Sequence, residues 1–88
     1  MDIFVLKYLE DSDERCASET ELFASDAPAR AAMEDAYWDT IRRLKFDVTR
    51  QSEDHRCSFT GQSASIVNGM DYYDWSIEMQ KLKGLLAG

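Results

Sequence analysis

The residues with chemical potential in this sequence are carboxylates. Asp and Glu number 17 against 10 Lys and Arg in 88 residues, a net charge of −7. The excess is uneven. Residues 1–40 hold eleven acids and three bases, a balance of −8, while residues 41–88 hold six acids and seven bases, a balance of +1. Such a field repels phosphate backbones, so direct binding of nucleic acid or of an anionic membrane is disfavoured. It attracts basic protein surfaces, and equally it keeps a small protein in solution. The acids fall in two groups: Glu10, Asp11, Asp13 and Glu14 in one charged segment, and Glu34, Asp35 and Asp39 further on.

Catalytic and metal chemistry find little support. Asp35 and Asp39 stand one helical turn apart, but acids at this density form such pairs by chance. His55 is the only histidine and has no acid/base partner at a fixed spacing. Gly61-Gln62-Ser63-Ala64-Ser65 begins like a nucleophile elbow and then lacks the closing glycine. Asp and Ser alternate in residues 10–18 without the glycine and distal glutamate of a calcium loop. Cys16, Cys57 and His55 lack zinc-type spacing. The chain therefore reads as a non-enzyme without metal or cofactor. Two cysteines are too few for a disulfide framework. Free thiols are expected, with a single Cys16–Cys57 bridge as the alternative.

The elements that position these acids follow from periodicity. Ser25 to Leu44 reads as one amphipathic helix. Ser25 or Asp26 is placed to cap it, and Pro28 falls in the first turn, where its missing N–H costs nothing. At about 100° per residue, Ala29, Ala32, Met33, Ala36, Tyr37, Thr40 and Leu44 share one arc, with Ile41 at its edge. Acids precede bases along the helix, which suits its dipole. Residues 2–10 read as a central strand, apolar on both faces. Residues 10–18 read as a charged loop and 19–24 as a short strand, with Leu22 and Phe23 packing across the helix start. Residues 45–56 are mixed, and Phe46 and Val48 either form a short extended piece or prolong the helix; His55 falls in a polar loop. Residues 57–67 read as one strand bent at Gly61, and residues 72–81 as the clearest strand. Asn68-Gly69 between these two marks a hairpin. A two- or four-residue loop sets Ala64 and Ile66 on the same face as Tyr73, Trp75, Ile77 and Met79.

The expected architecture is a single α+β domain over residues 1–88, a small antiparallel sheet of three to four strands with one main helix on one face, in ββαββ-like order. A single helix covers a single face, so Tyr72, Asp74 and Glu78 are expected on a second face that is either solvated or buried against a partner or a second copy. Trp38 lies off the apolar arc. Either a loop or the C-terminal tail covers it, or it is an exposed aromatic anchor. The tail, Leu82 to Gly88, is apolar and expected to dock back on the domain or to join a dimer. The apolar run Ile3 to Leu6 is too short for a signal peptide or membrane span, and a cytoplasmic location is the expectation.

Phe23-Ala24-Ser25-Asp26 running into Ala29-Arg30-Ala31-Ala32-Met33, together with Asn68-Gly69-Met70-Asp71-Tyr72-Tyr73-Asp74-Trp75-Ser76-Ile77, resembles small uncharacterised proteins carried by bacterial phages and mobile elements. Some proteins of that kind are anti-CRISPR or other anti-defence inhibitors. The resemblance implies an inhibitor that docks an acidic surface on the nucleic-acid-binding groove of a host defence protein, such as an RNA-guided nuclease, and it assigns no residue a role. The contact residues suggested by charge and aromatic character are Glu10, Asp11, Asp13, Glu14, Glu34, Asp35, Trp38, Asp39 and Tyr72. The alternative is a structural or regulatory domain that homodimerises through its open sheet face or its tail.

Overall fold

Alternating and helical hydrophobic patterns meet on one shared apolar layer. The computed structural model describes residues 2–81. In chain order the elements are β1 (Asp2–Asp11), β2 (Cys16–Phe23), α1 (Asp26–Leu44), β3 (His55–Phe59), β4 (Ser63–Asn68) and β5 (Asp71–Lys81). The strands form one antiparallel sheet in the order β2-β1-β5-β4-β3. The α+β class is as expected and β1 is interior, but the sheet has five strands and the order is ββαβββ.

The extra strand comes from residues 57–67, which form a hairpin and not one bent strand. Thr60 N–H donates to the Ser63 carbonyl at 2.7 Å, and Thr60 Oγ1 accepts from the N–H groups of Gln62 and Ser63 at 3.2 and 3.0 Å. A threonine side chain thus folds the turn that composition attributed to glycine alone. Gly61 serves another purpose. Its carbonyl accepts from Arg30 Nε at 2.8 Å, and a Cβ there would fall 1.7 Å from the guanidinium. The β4–β5 hairpin closes through two residues, Gly69 and Met70, with Asn68 opposite Asp71. Gly69 has φ +68°, and glycine at this first position is the mark of a type II′ turn. The resulting register sets Ala64 against Trp75 and Ile66 against Tyr73, as the alternation requires.

The charged loop contracts in the same way. β1 runs to Asp11 and β2 begins at Cys16, leaving only Ser12 to Arg15 as the turn. His55 begins β3 and is not a loop residue; its ring stacks on Phe46 at 3.9 Å.

The helix matches its expected span, but its start does not use the expected cap. Ser25 has extended backbone angles at the N-cap position and makes no side-chain capping bond. Asp26 lies 3.6 Å from Arg30 Nε, one turn on. At the other end Lys45 turns left-handed, φ 53° and ψ 42°. Lys45 N–H then reaches the Arg42 carbonyl and Phe46 N–H the Ile41 carbonyl, the two bonds of a Schellman motif. This stops the helix and turns Phe46 back into the core.

Ala29, Met33, Tyr37, Thr40 and Ile41 are buried on the inner side of α1. They meet Leu6 of β1, Tyr73, Trp75 and Ile77 of β5, and Ala64 and Ile66 of β4. Tyr37 stands edge-on to Trp75 at 5.9 Å and tilts over Phe59 at 5.3 Å. Met79, expected in this core, is about half exposed in the terminal row with Phe4 and Phe23. Phe23 packs on the core, whereas its neighbour Leu22 points to the opposite face and is exposed. Cys16 and Cys57 are free and lie on opposite edge strands, which removes the alternative of a bridge. The expected docking of Leu82 to Gly88 lies outside the described residues. Among the described residues no helix is long and apolar enough to cross a membrane.

Met33 is the central contact, with 0% of its surface exposed. Met33→Ala is expected to cost about 2–5 kcal/mol of unfolding free energy, read by urea denaturation. A loss below about 1 kcal/mol would mean that the helix is not seated on the sheet as described.

Candidate functional site

A five-stranded sheet measures about 19 Å between its outer strands, and a helix with its side chains about 10–12 Å. One helix cannot cover all five. α1 closes over β1, β5 and β4 and touches β2 at Phe23, but it leaves Glu19 and Glu21 on the helix-side face of β2 in solvent. Between that strand and the helix runs a groove of about 410 Å³. Its floor is Leu6, Tyr8 and Trp75; Ala32, Ala36 and Thr40 form the helix wall, small residues that keep the groove open. The rim is charged: Arg15, Glu19 and Glu21 on the sheet side, Asp39 and Arg43 on the helix side.

The alternation Glu19-Thr20-Glu21 in β2 directs both acids to the helix side, opposite Tyr8 and Leu6 of β1. Sequence reasoning recognised the alternating strand but did not count these two acids as contact residues. The signal was present: a period of two sends both to whichever face Phe23 shares.

Glu10, expected in the exposed acidic cluster, is buried with 2% of its surface accessible. Tyr8 OH donates to its carboxylate at 2.6 Å, Ser12 Oγ at 2.8 Å and Arg15 Nε at 3.0 Å. Burial acts to raise its pKa and is the largest single influence. The hydrogen bonds from Tyr8, Ser12 and Arg15, with the charge of Arg15, together outweigh it and hold the carboxyl below its ordinary value. The same burial, and the negative charge of Glu10, push the Tyr8 hydroxyl up. Glu10 is therefore a structural anion. It orients Tyr8 in the groove floor and Arg15 on the rim, and it ties down the Ser12–Arg15 turn.

The other expected contact residues do not form one patch. Asp39 lies on the flank of α1 toward β2, 3.7 Å from Arg42, and Asp35 is exposed on the helix one turn before it. Glu14 reaches toward Arg43 at 4.0 Å, which brings the turn beside the same flank. Asp13 is exposed in that turn, and its N–H donates to Asp71 Oδ1 at 3.1 Å. Glu34 lies on the opposite flank, in a hollow with Arg30, Phe59 and Gly61. Trp38 is 40% exposed, its ring edge-on to Tyr37 at 5.0 Å. Asp11 and the 38% exposed Tyr72 pair across strands on the sheet face away from the helix. Trp38 and Tyr72 thus stand on opposite sides of the sheet and cannot anchor one flat contact.

Among the described residues no group of three or more His, Cys, Asp or Glu side chains is placed to hold a metal ion. A second hollow, between Asp47 and His55, is organised by its own bonds: Thr49 donates from its hydroxyl and N–H to Asp47 Oδ1 at 2.6 and 3.0 Å and lowers that carboxyl's pKa. Compared with family models, with curated proteins and with solved structures, the chain matches none.

The depressed pKa of Glu10 has a consequence for stability. In the unfolded chain this carboxyl titrates near the ordinary value of 4.5, and in the folded protein below it. Between the two values the unfolded state binds more protons, so stability rises with pH there. The contribution of Glu10 is complete above the ordinary value and disappears as pH falls through the folded one. Glu10→Gln is expected to lose about 1–3 kcal/mol at neutral pH. It should also show a shallower fall of stability in acid than the parent, measured by urea denaturation across a pH series. Equal acid slopes in both proteins would assign the acid sensitivity to other carboxylates.

Proposed function

We propose that this protein is a small acidic protein-binding module that docks on a basic, nucleic-acid-binding surface of another protein. The observation that carries this reading is the arrangement of Glu19, Glu21 and Asp39 around an apolar groove floor, with Asp35 beside them. Exposed acids flanking apolar surface are what a contact with a basic surface uses: apolar burial gives affinity, and charge gives selectivity and fast association. Binding is favoured over catalysis because the buried carboxylate, Glu10, is held ionised by three donors. It is poised neither as an acid nor as a base near neutral pH.

The likeness of residues 23–33 and 68–77 to phage and mobile-element proteins extends the reading to an inhibitor of host defence, with an RNA-guided nuclease as one class of target. Homodimerisation through the open sheet face draws less support. That face also carries Val5, Leu9, Leu22 and Tyr72, but the polar row Thr20–Lys7–Ser76–Ser63, with Lys7 paired to Glu78 at 2.6 Å, separates Leu22 and Val5 from Leu9 and breaks the apolar surface into small patches.

The test is affinity capture from bacterial lysate at low and then high salt, read by mass spectrometry, followed by competition with nucleic acid for the purified target. A nucleic-acid-handling protein recovered at low salt and released at high salt is expected. Combined reversal of Glu21, Asp35 and Asp39 to Lys should weaken its binding by about tenfold or more. Recovery of the bait alone, or affinity unchanged by the reversals, would overturn the reading.

A further inference from the structure

The two edges of the sheet are finished differently. At β3 the outward backbone groups at the start of the strand, His55 N–H and C=O and Cys57 N–H, are already taken. Ser52 and His55 exchange backbone bonds at 2.8 and 3.4 Å, and Cys57 N–H donates to Gln51 Oε1 at 3.0 Å. Gln51 is itself fixed by its Nε2 donating to the Val48 carbonyl at 2.9 Å. The loop before β3 therefore covers the first half of that edge.

β2 has no such cover among the described residues. Ser12 N–H bonds the Arg15 carbonyl at 3.0 Å, which sets the phase of the β1–β2 ladder. Counting in steps of two, Ala17, Glu19, Glu21 and Phe23 exchange bonds with β1. The N–H and C=O groups of Ser18, Thr20 and Leu22 then point away from the sheet, and no described residue bonds them. The strand runs eight residues in unbroken register. It carries no proline, lysine or bulge, and the charges that guard it against unselective pairing are Glu19 and Glu21.

We infer that the outer edge of β2 is a strand-docking site, and that its occupant is an extended segment of a partner protein with Lys or Arg at alternate positions. The inference rests on the reading of the protein as an acidic binding module and states where and how it binds. Main-chain bonds to Ser18, Thr20 and Leu22 supply the pairing. On an added antiparallel strand, Glu19 and Glu21 fall at the non-hydrogen-bonded positions, where opposing Cα atoms approach to about 4.5 Å. Arg15 Nη2 lies 3.7 Å from Glu19 and answers part of its charge. Glu21 has no cation within 4.0 Å among the described residues. A basic side chain opposite Glu21 completes an ion pair and lays its methylene stem toward the groove.

Charge also selects against a second copy as the occupant. Extending the sheet antiparallel keeps each face continuous, so odd-numbered residues of one β2 meet odd-numbered residues of the other. Each centred register sets Glu19 or Glu21 opposite another glutamate, and like charges directly opposed are destabilising.

The test uses the full isotope-labelled chain and two short synthetic peptides, one alternating Lys with Thr and one alternating Glu with Thr. With the Lys/Thr peptide, amide exchange at Ser18, Thr20 and Leu22 is expected to slow, with no change at Cys57; the Glu/Thr peptide should have no effect. Thr20→Pro deletes an outward N–H and leaves the bonds to β1, so it should abolish the protection while the helix amides stay protected. Glu21→Lys, an exposed substitution that does not depend on proline being tolerated, should weaken the Lys/Thr peptide about tenfold and admit the Glu/Thr peptide. Protection by both peptides alike overturns the basic assignment. Perturbation confined to Asp35 and Asp39 overturns the strand site and leaves the acidic-module reading standing. Protection of Thr20 without peptide, with a doubled mass in solution, makes a second copy the occupant. Protection by the Lys/Thr peptide with no salt-sensitive partner in lysate counts against the module reading and not against the edge.

Discussion

The structure depends on a mismatch of area between one helix and five strands. The helix has a single apolar side, most of it seated on the sheet and the rest, Ala32 and Ala36, lining the groove. Met33 and Ala29 are sealed, and Tyr37 reaches across to Trp75. What it covers becomes the core: parts of β1, β5 and β4. What it leaves uncovered must be polar or find another occupant. The far sheet face takes a mixed solution, with serines and a Lys7–Glu78 pair set between Val5, Leu9, Leu22 and Tyr72. β2 takes an intermediate one, with acids placed over a groove whose floor is still apolar.

A buried carboxylate makes that exposed strand possible. Glu10 is the end of the β1 helix-side row, below the turn to β2, and three donors converge on it. A charge at 2% exposure is tolerable only when its lone pairs are occupied. Tyr8, Ser12 and Arg15 occupy them, so the tight Ser12–Arg15 turn and the placement of Arg15 near Glu19 belong to one network. The register of β2, and hence the side on which Glu19 and Glu21 emerge, follows from the turn that this network holds.

The functional reading grows from that asymmetry. One edge of the sheet is covered over its first half by Gln51 and Ser52, and the other presents free backbone groups beside glutamates. The acid excess of residues 1–40 is thus spread over a strand edge, both helix flanks, a turn and the far sheet face, and one of its members, Glu10, is withdrawn into the interior.

The sequence by itself determined the local elements and their inner faces. The helix arc from Ala29 to Leu44, the alternation of Tyr73, Trp75 and Ile77 and the Asn68-Gly69 turn are short-range patterns, set by 3.6- and 2-residue periods and by one glycine's freedom at positive φ. The charge imbalance was legible in the same way, because charge is a sum. Tertiary structure decided the rest. Whether Glu10 is solvated or buried depends on Tyr8, Ser12 and Arg15 converging across a turn, a matter of three-dimensional distance that no spacing encodes. The division of residues 57–67 into two strands depends on Thr60 bonding the backbone beyond it, and the side on which Trp38 and Tyr72 stand depends on which sheet face the helix covers. Strand order did the most. The order β2-β1-β5-β4-β3 makes β2 an edge, and an edge is a relation between strands far apart in the chain, which local periodicity does not carry.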